Sequence, residues 1–315
     1  MENFNQVEFL KMLSAHLKPG YGLSDWLSDS LEIDRSTASK KMRNESKLSI
    51  HELAIICAAI PESFALLPTY MGLPQHFVAM FNGFKNEREL QINMKRTLGL
   101  FNKISLGQNE LKYVGRDLSY FFFLSKPALF EFKVSVWTNS ILTDGVTSLS
   151  QETEDLAQDL LQAYKQVNSI ELWYDLGIYN LKRQMDYTLK VGKLSETEYK
   201  KIQSEILESL DEFEHTADMG NKGEGMGKFD LYGSSYCTMS SGGLVSTPEM
   251  EMLLTATLGV QLMSTTYPAM VQSFKEHWMG NLKTAKLLSM ANSAERVAFF
   301  SFLRNAMKSS NKDGF

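Results

Sequence analysis

Between residues 23 and 60 three helical stretches follow one another, each opened by a capping residue: Ser24, Asp34 and Ser49. Turns of only a few residues separate them. Such spacing leaves no room for extended structure and constrains the segment to a small helical bundle. The helix before them carries Val7, Leu10, Leu13 and Leu17 at helical intervals and is expected to end at Pro19-Gly20. The second carries Leu27 and Leu31, and the third runs from Asp34 to about Arg43. The fourth begins at Ser49, with Glu52 three residues on as a capping box, and continues through Leu53, Ile56, Cys57 and Ile60.

The third helix is unusual in its charge. Residues 35–47 hold Arg35, Lys40, Lys41, Arg43 and Lys47 against Glu45, a local net charge of +4 in a chain whose formal net charge is −5. Acidic charge gathers elsewhere, as in "EILESLDEFEHTAD" at 205–218, which has no Lys or Arg. The overall balance excludes a wholly basic nucleic-acid coat protein but leaves one basic module open. Ala38 and Met42 form the apolar face of this helix, and Ser36, Ser39, Lys40 and Arg43 point outward. Asn44 stands just past its end, where positive φ is usually required.

This stretch, "LSDSLEIDRSTASKKMRNESKLSIHELAIICAAI" at 27–60, resembles the DNA-binding domain of Cro and lambda-repressor-like helix-turn-helix regulators. That family pattern has a small residue in the first helix, an apolar turn residue, a polar recognition helix, a Gly or Asn, and a further helix. Ser28, Ile33, residues 35–43 and Asn44 fill these places. Glu32 stands where the family commonly has glycine, Ser28 replaces the usual alanine, and Met42 stands where many members have glutamate. The resemblance implies that Arg35, Ser36 and Lys40 face base edges in the major groove. It also implies that Ser24, Thr37, Ser39, Lys41, Arg43 and Lys47 contact the DNA backbone. Asp34 reads as the N-cap of the recognition helix. One helix in one groove binds weakly, so the expected partners are double-stranded DNA and a second copy of the chain. An unidentified effector in the C-terminal region is a further expectation. The segment "LKYVGRDLSYFFFLSKPALFEFKVSVW", 111–137, is similar to the region after such a module in a group of uncharacterised bacterial regulators.

Beyond residue 60 the expectation is a connector and helix over 66–109, then an α-rich domain over 110–315. Phe130, Phe132, Val134 and Val136 alternate as in a strand, while Pro127 and the segment's length favour a helix, which is the reading adopted. Residues 151–217 read as helical, with a capping box at Ser195 and Glu198. "MGNKGEGMGK", 219–228, reads as a flexible loop. Residues 229–239 and 251–263 read as antiparallel strands, and 268–290 and 294–308 as helices. The fold class is therefore mainly α: a helix-turn-helix bundle of four to five helices, then an α-rich α+β domain with a small late antiparallel sheet.

Candidate chemistry is sparse. His16, His51, His76, His215 and His277 include no pair at i, i+4. The acids around His215 could hold a cation but read more simply as the end of an acidic helix. Gly227-Lys228 is followed by Phe229 rather than Ser or Thr, which rules out a phosphate loop. "GSSYC" lacks the second glycine of a nucleophile elbow. No cofactor, metal or enzymatic activity is expected. Cys57, in an apolar run, reads as a small buried hydrophobe, and Cys237 is too distant in sequence to suggest a disulfide framework. With neither a signal segment nor a long apolar run, the expectation is a cytoplasmic protein without membrane contact. The aromatic density at 113–137 reads as core, with room for an apolar ligand pocket. The alternative function is a protein–protein adaptor whose N-terminal bundle is only a scaffold, since Asp25, Asp29 and Glu32 lie near the proposed DNA face.

Overall fold

A computed structural model describes residues 4–14, 17, 20–60, 63, 67, 70, 78–79, 84–105, 109–236, 238–248, 250–257, 261–290 and 293–309. The expected stop at Pro19, a fifth helix of the bundle after residue 60, His16, His76 and Cys237 lie outside these residues. The chain divides into two compact units, Met1–Val78 and Ala79–Phe315.

The first unit contains α1 (Gln6–Leu13), α2 (Leu23–Leu31), α3 (Arg35–Met42) and α4 (Ile50–Ala59). Phe9, Leu10, Leu13, Leu27, Leu31, Ala38, Ile56 and Ile60 meet in one core. Three expected caps form: Asp34 accepts from the Thr37 amide, Ser49 and Glu52 make a reciprocal box, and Asn44 has a φ of 62°. Cys57 is half-buried rather than buried, because Ile56 takes the inward position of α4.

The second unit opens near a two-residue strand, β1 (Val78–Ala79), and α5 (Glu87–Ile104). Helix α5, within the stretch read as connector and helix, belongs to this unit. Gln91 donates to Thr153 at 3.0 Å and Lys95 pairs with Glu152 at 2.8 Å, both on α8 (Gln151–Gln166). The remaining strands are β2 (Glu110–Gly115), β3 (Asn168–Tyr174), β4 (Phe229–Ser234), β5 (Gly242–Ser246), β6 (Glu251–Thr257), β7 (Gln261–Thr265) and β8 (Lys286–Leu287). They run in the order β7-β6-β5-β2-β3-β4-β8.

The unit is helix-rich, as expected, but its sheet is neither small nor purely antiparallel. β2, β3 and β4 are parallel, and β5 to β8 join them antiparallel. β3 interrupts 151–217, the stretch that reads as helical with a break only near 192–198, and β2 precedes the aromatic run. In both, a brief alternation (Leu111 and Tyr113 in β2, Ile170 and Leu172 in β3) runs into consecutive buried residues, Val114-Gly115 and Trp173-Tyr174, so the period of two does not last the strand. Leu172 and Tyr174 of β3 face Trp278 of α11 (Pro268–Leu282), and Trp173 joins the core on the other side. That side is covered by α6 (Tyr120–Phe123), α7 (Pro127–Trp137), α9 (Leu176–Lys190), α10 (Glu196–Met219) and α12 (Ser293–Lys308). Helix α7 confirms the helical reading of 127–137, with Pro127 in its first turn.

The acidic stretch of α10 is held by cations from neighbouring helices. Lys126 pairs with Glu212 at 2.7 Å, Arg304 with Asp211 at 2.6 Å and also with Glu214, and Arg296 pairs with Asp218. Among the described residues no group of His, Cys, Asp or Glu is arranged to hold a metal ion.

The glycine-rich segment 219–228 is pinned rather than flexible. Lys222 is buried and donates to the carbonyls of Tyr164 at 3.2 Å and Val167 at 2.8 Å. Burial pushes its amine down to about 7, against an upward pull from buried Glu171. A Cβ on Gly227 would collide with the Val167 carbonyl. Gly227→Ala is therefore expected to destabilise the unit by about 1–3 kcal/mol, measured as a lowered urea midpoint with an unchanged slope. An unchanged midpoint would show that the segment adjusts freely.

Candidate nucleic-acid interface

Helices α2 and α3 are joined by a tight turn whose closure is local. Glu32, with φ 53°, takes the left-handed conformation that ends α2. The Ile33 amide donates to Ser28 O at 3.1 Å, and Ser28 Oγ donates to Ile33 O at 2.6 Å. Serine at 28 thus keeps the small size the crossing needs and adds a bond across the turn. Ile33 packs on the core. A non-glycine residue in this conformation costs about 1 kcal/mol, so Glu32→Gly is expected to raise stability by ~0.5–1 kcal/mol. A thermal melt checks this, and a lowered midpoint would mean that Glu32 contributes a contact outweighing the strain.

At the start of α3 the Asp34 carboxylate accepts from Thr37 Oγ1 at 2.7 Å and Thr37 N at 2.9 Å, which hold it below the usual carboxylate range. The end of α3 is fixed as firmly. The Glu45 amide reaches Lys40 O at 2.9 Å and the Asn44 amide reaches Lys41 O at 3.1 Å, the paired bonds of a Schellman cap. Between these stops, Arg35, Ser36 and Lys40 are all exposed. The three residues expected to read bases therefore occupy the open side of a helix fixed at both ends.

The expected backbone contacts divide. Arg43 and Lys47 are exposed. Lys41 is not available: it is 5% exposed, pairs with Glu52 at 2.9 Å and donates to Lys47 O at 2.8 Å. Three residues after buried Ala38, it falls on the inward face of α3. Burial pushes the Glu52 carboxyl up, but bonds from Ser49 and Lys41 outweigh this and leave it lowered. Thr37 is half-buried and its hydroxyl is committed to Asp34. Ser24 and Ser39 are also half-buried and face each other at 3.4 Å across the helix pair, not toward a backbone. Ser24 is moreover the second residue of α2, whose cap position is Gly22.

Two basic side chains already hold carboxylates. Arg35 Nε lies 2.9 Å from Asp25, and Arg43 grips Glu45 through Nε at 2.7 Å and Nη2 at 3.0 Å. Glu45 draws the Arg43 guanidinium upward and is itself lowered by it. Asp29 accepts from the Tyr21 hydroxyl, which that bond raises. Lys40 makes no ion pair among the described residues.

One determinant was missed in the sequence. Gln6 is 1% exposed. Its Nε2 donates to Lys41 O at 2.7 Å and to Ser46 O at 2.8 Å, and its Oε1 accepts from Leu48 N at 2.8 Å. A single amide on α1 thus fixes the chain leaving α3. Its signal was a polar residue on the apolar stripe of Phe9, Leu10 and Leu13.

No family model matches the chain, and no curated protein matches it. The solved structure of TrmBL2, an archaeal chromatin protein described as showing a novel mode of DNA binding, aligns with 90% of this chain and 100% of its own length. Identity is 11% and the TM-score 0.25, a level that carries no argument about fold or function. Among the described residues no helix is long and apolar enough to cross a membrane.

Proposed function

We propose that the chain is a sequence-specific DNA-binding transcriptional regulator of the Cro and lambda-repressor-like type, with α3 entering the major groove. The observation that carries this reading is the exposure of Arg35, Ser36 and Lys40 on one helix, preceded by a locally closed turn. Arg35 and Lys40 supply donors for guanine edges, and Ser36 suits either donor or acceptor. Arg43 and Lys47 supply phosphate contacts, with Lys41 supporting the helix from within. In this reading the protein acts in the cytoplasm as a homodimer joined through the second unit, which also takes an effector, and it performs no catalysis. Two recognition helices then read two half-sites.

The test is fluorescence anisotropy of duplexes from upstream of the protein's own gene, titrated at several salt concentrations. Tight binding to one duplex, falling steeply with salt, supports the proposal. Equal and weak binding to every duplex would favour the second reading, a protein–protein adaptor. The Arg35–Asp25 pair favours that alternative, because it places a carboxylate beside the proposed reading face.

A further inference from the structure

In the second unit a cavity of about 160 Å³ lies against α5, α6, α7 and the paired strands β2 and β5. Its wall is largely aromatic. Tyr120 stacks on Trp137 at 5.7 Å between ring centroids, and Phe123 meets Trp137 edge-on at 5.7 Å. Two polar groups in the lining are left with unused donors. Lys133 is 5% exposed, and its ammonium donates to Gln184 Oε1 at 2.9 Å. It also lies over the faces of Phe123 and Trp137, 4.6 and 5.5 Å away, with the Asp117 carboxylate near enough to favour its charge. Asn93 Nδ2 is fully covered and has no hydrogen-bond partner among the described residues. Asp117, the one carboxylate in the lining, is engaged by Asn180 Nδ2 at 2.8 Å.

A buried ammonium using one of three donors is costly, as is a covered amide with no acceptor. Both costs fall if an acceptor-bearing molecule occupies the space. The volume sets its size, since an apolar cavity of about 150 Å³ takes a single benzene ring. We propose that this cavity binds a planar one-ring aromatic carboxylate, with its carboxylate at Lys133 and Asn93 and its ring among Tyr120, Phe123 and Trp137. Burial holds the Lys133 amine down to about 8, with Asp117 opposing, so an arriving anion stabilises a charge that burial disfavours. The inference does not rest on the DNA-binding reading.

Benzoate titrated into the full chain by calorimetry tests it, with 4-fluorobenzoate followed by fluorine NMR and benzyl alcohol as the uncharged comparison. Saturable benzoate binding, stronger than that of benzyl alcohol, is expected. Lys133→Met should weaken benzoate by about tenfold to a hundredfold and leave benzyl alcohol nearly unchanged. Asn93→Ala, which removes a group without a partner and so spares the fold, should weaken benzoate by a smaller factor. Absence of saturable benzoate binding at millimolar concentration would overturn the proposal. Binding that neither substitution alters, or that benzyl alcohol matches, would overturn it equally, leaving the cavity a packing void.

Discussion

Replacing Arg35 and Lys40 together by alanine is expected to weaken binding to the specific duplex by about a hundredfold. Affinity for unrelated duplexes should change far less. One well-placed bidentate base contact is worth about 1–3 kcal/mol of discrimination, and these are the two cations the proposal puts at base edges. Arg35 is 77% exposed and Lys40 is exposed, so the substitutions should leave stability within about 0.5 kcal/mol. Loss of discrimination can then be separated from loss of folding. Arg43→Ala with Lys47→Ala should act differently, lowering affinity for all sequences and flattening the salt dependence. Anisotropy with matched and scrambled duplexes reads both. If the Arg35, Lys40 variant kept its preference, α3 would not be the reading helix.

Gln6→Leu should have the largest effect on stability in the first unit. It removes one of the two donors to Lys41 O, which keeps the Asn44 amide, and leaves Ser46 O without its side-chain donor and Leu48 N without its acceptor. An unmet buried polar group costs about 1–3 kcal/mol, and water reaching the loop will recover part of that. A net loss of about 1–4 kcal/mol follows, against the ~4–12 kcal/mol expected for a unit of this size. Hydrogen exchange is the direct readout: amides of α3 and residues 44–48 should exchange at least about tenfold faster, those of the second unit unchanged. Equal exchange in the variant would show that Lys41 and Glu52 alone fix this segment. Gln6→Glu should be no milder: it keeps an acceptor for Leu48 N but turns a carboxylate oxygen toward the Lys41 and Ser46 carbonyls, which cannot donate to it.

These two variants also separate what was readable in the sequence from what was not. Asp34, Asn44 and the Ser49–Glu52 and Ser195–Glu198 boxes act on atoms within a few residues, so the chain carries their whole signal locally. Gln6 acts across 35 to 42 residues, and no local pattern names its partners. The exposed Arg35, Ser36 and Lys40 were legible because the helical phase set by Ala38 and Met42 leaves them outside. Lys41 was misplaced because adjacent lysines look alike until that phase is taken strictly. β2 and β3 were lost because their alternation is brief and is broken by consecutive buried residues, Val114-Gly115 and Trp173-Tyr174. Glu171, buried on β3 and bonded to Tyr164, Ser169 and Trp173, made that stretch look more exposed than it is.

If α3 reads DNA as proposed, the cis carboxylates beside Arg35 and Arg43 have a kinetic consequence. A duplex arriving at this face finds two of its cations already occupied and must displace Asp25 and Glu45 before gaining them. Random phosphate offers little more than those carboxylates do, so sliding complexes on arbitrary DNA should be short-lived. A guanine edge offers Arg35 a paired acceptor geometry that Asp25, gripped through Nε alone, does not. In the proposed reading the protein carries its own decoy, and its search for an operator is sped by how readily wrong sites are released.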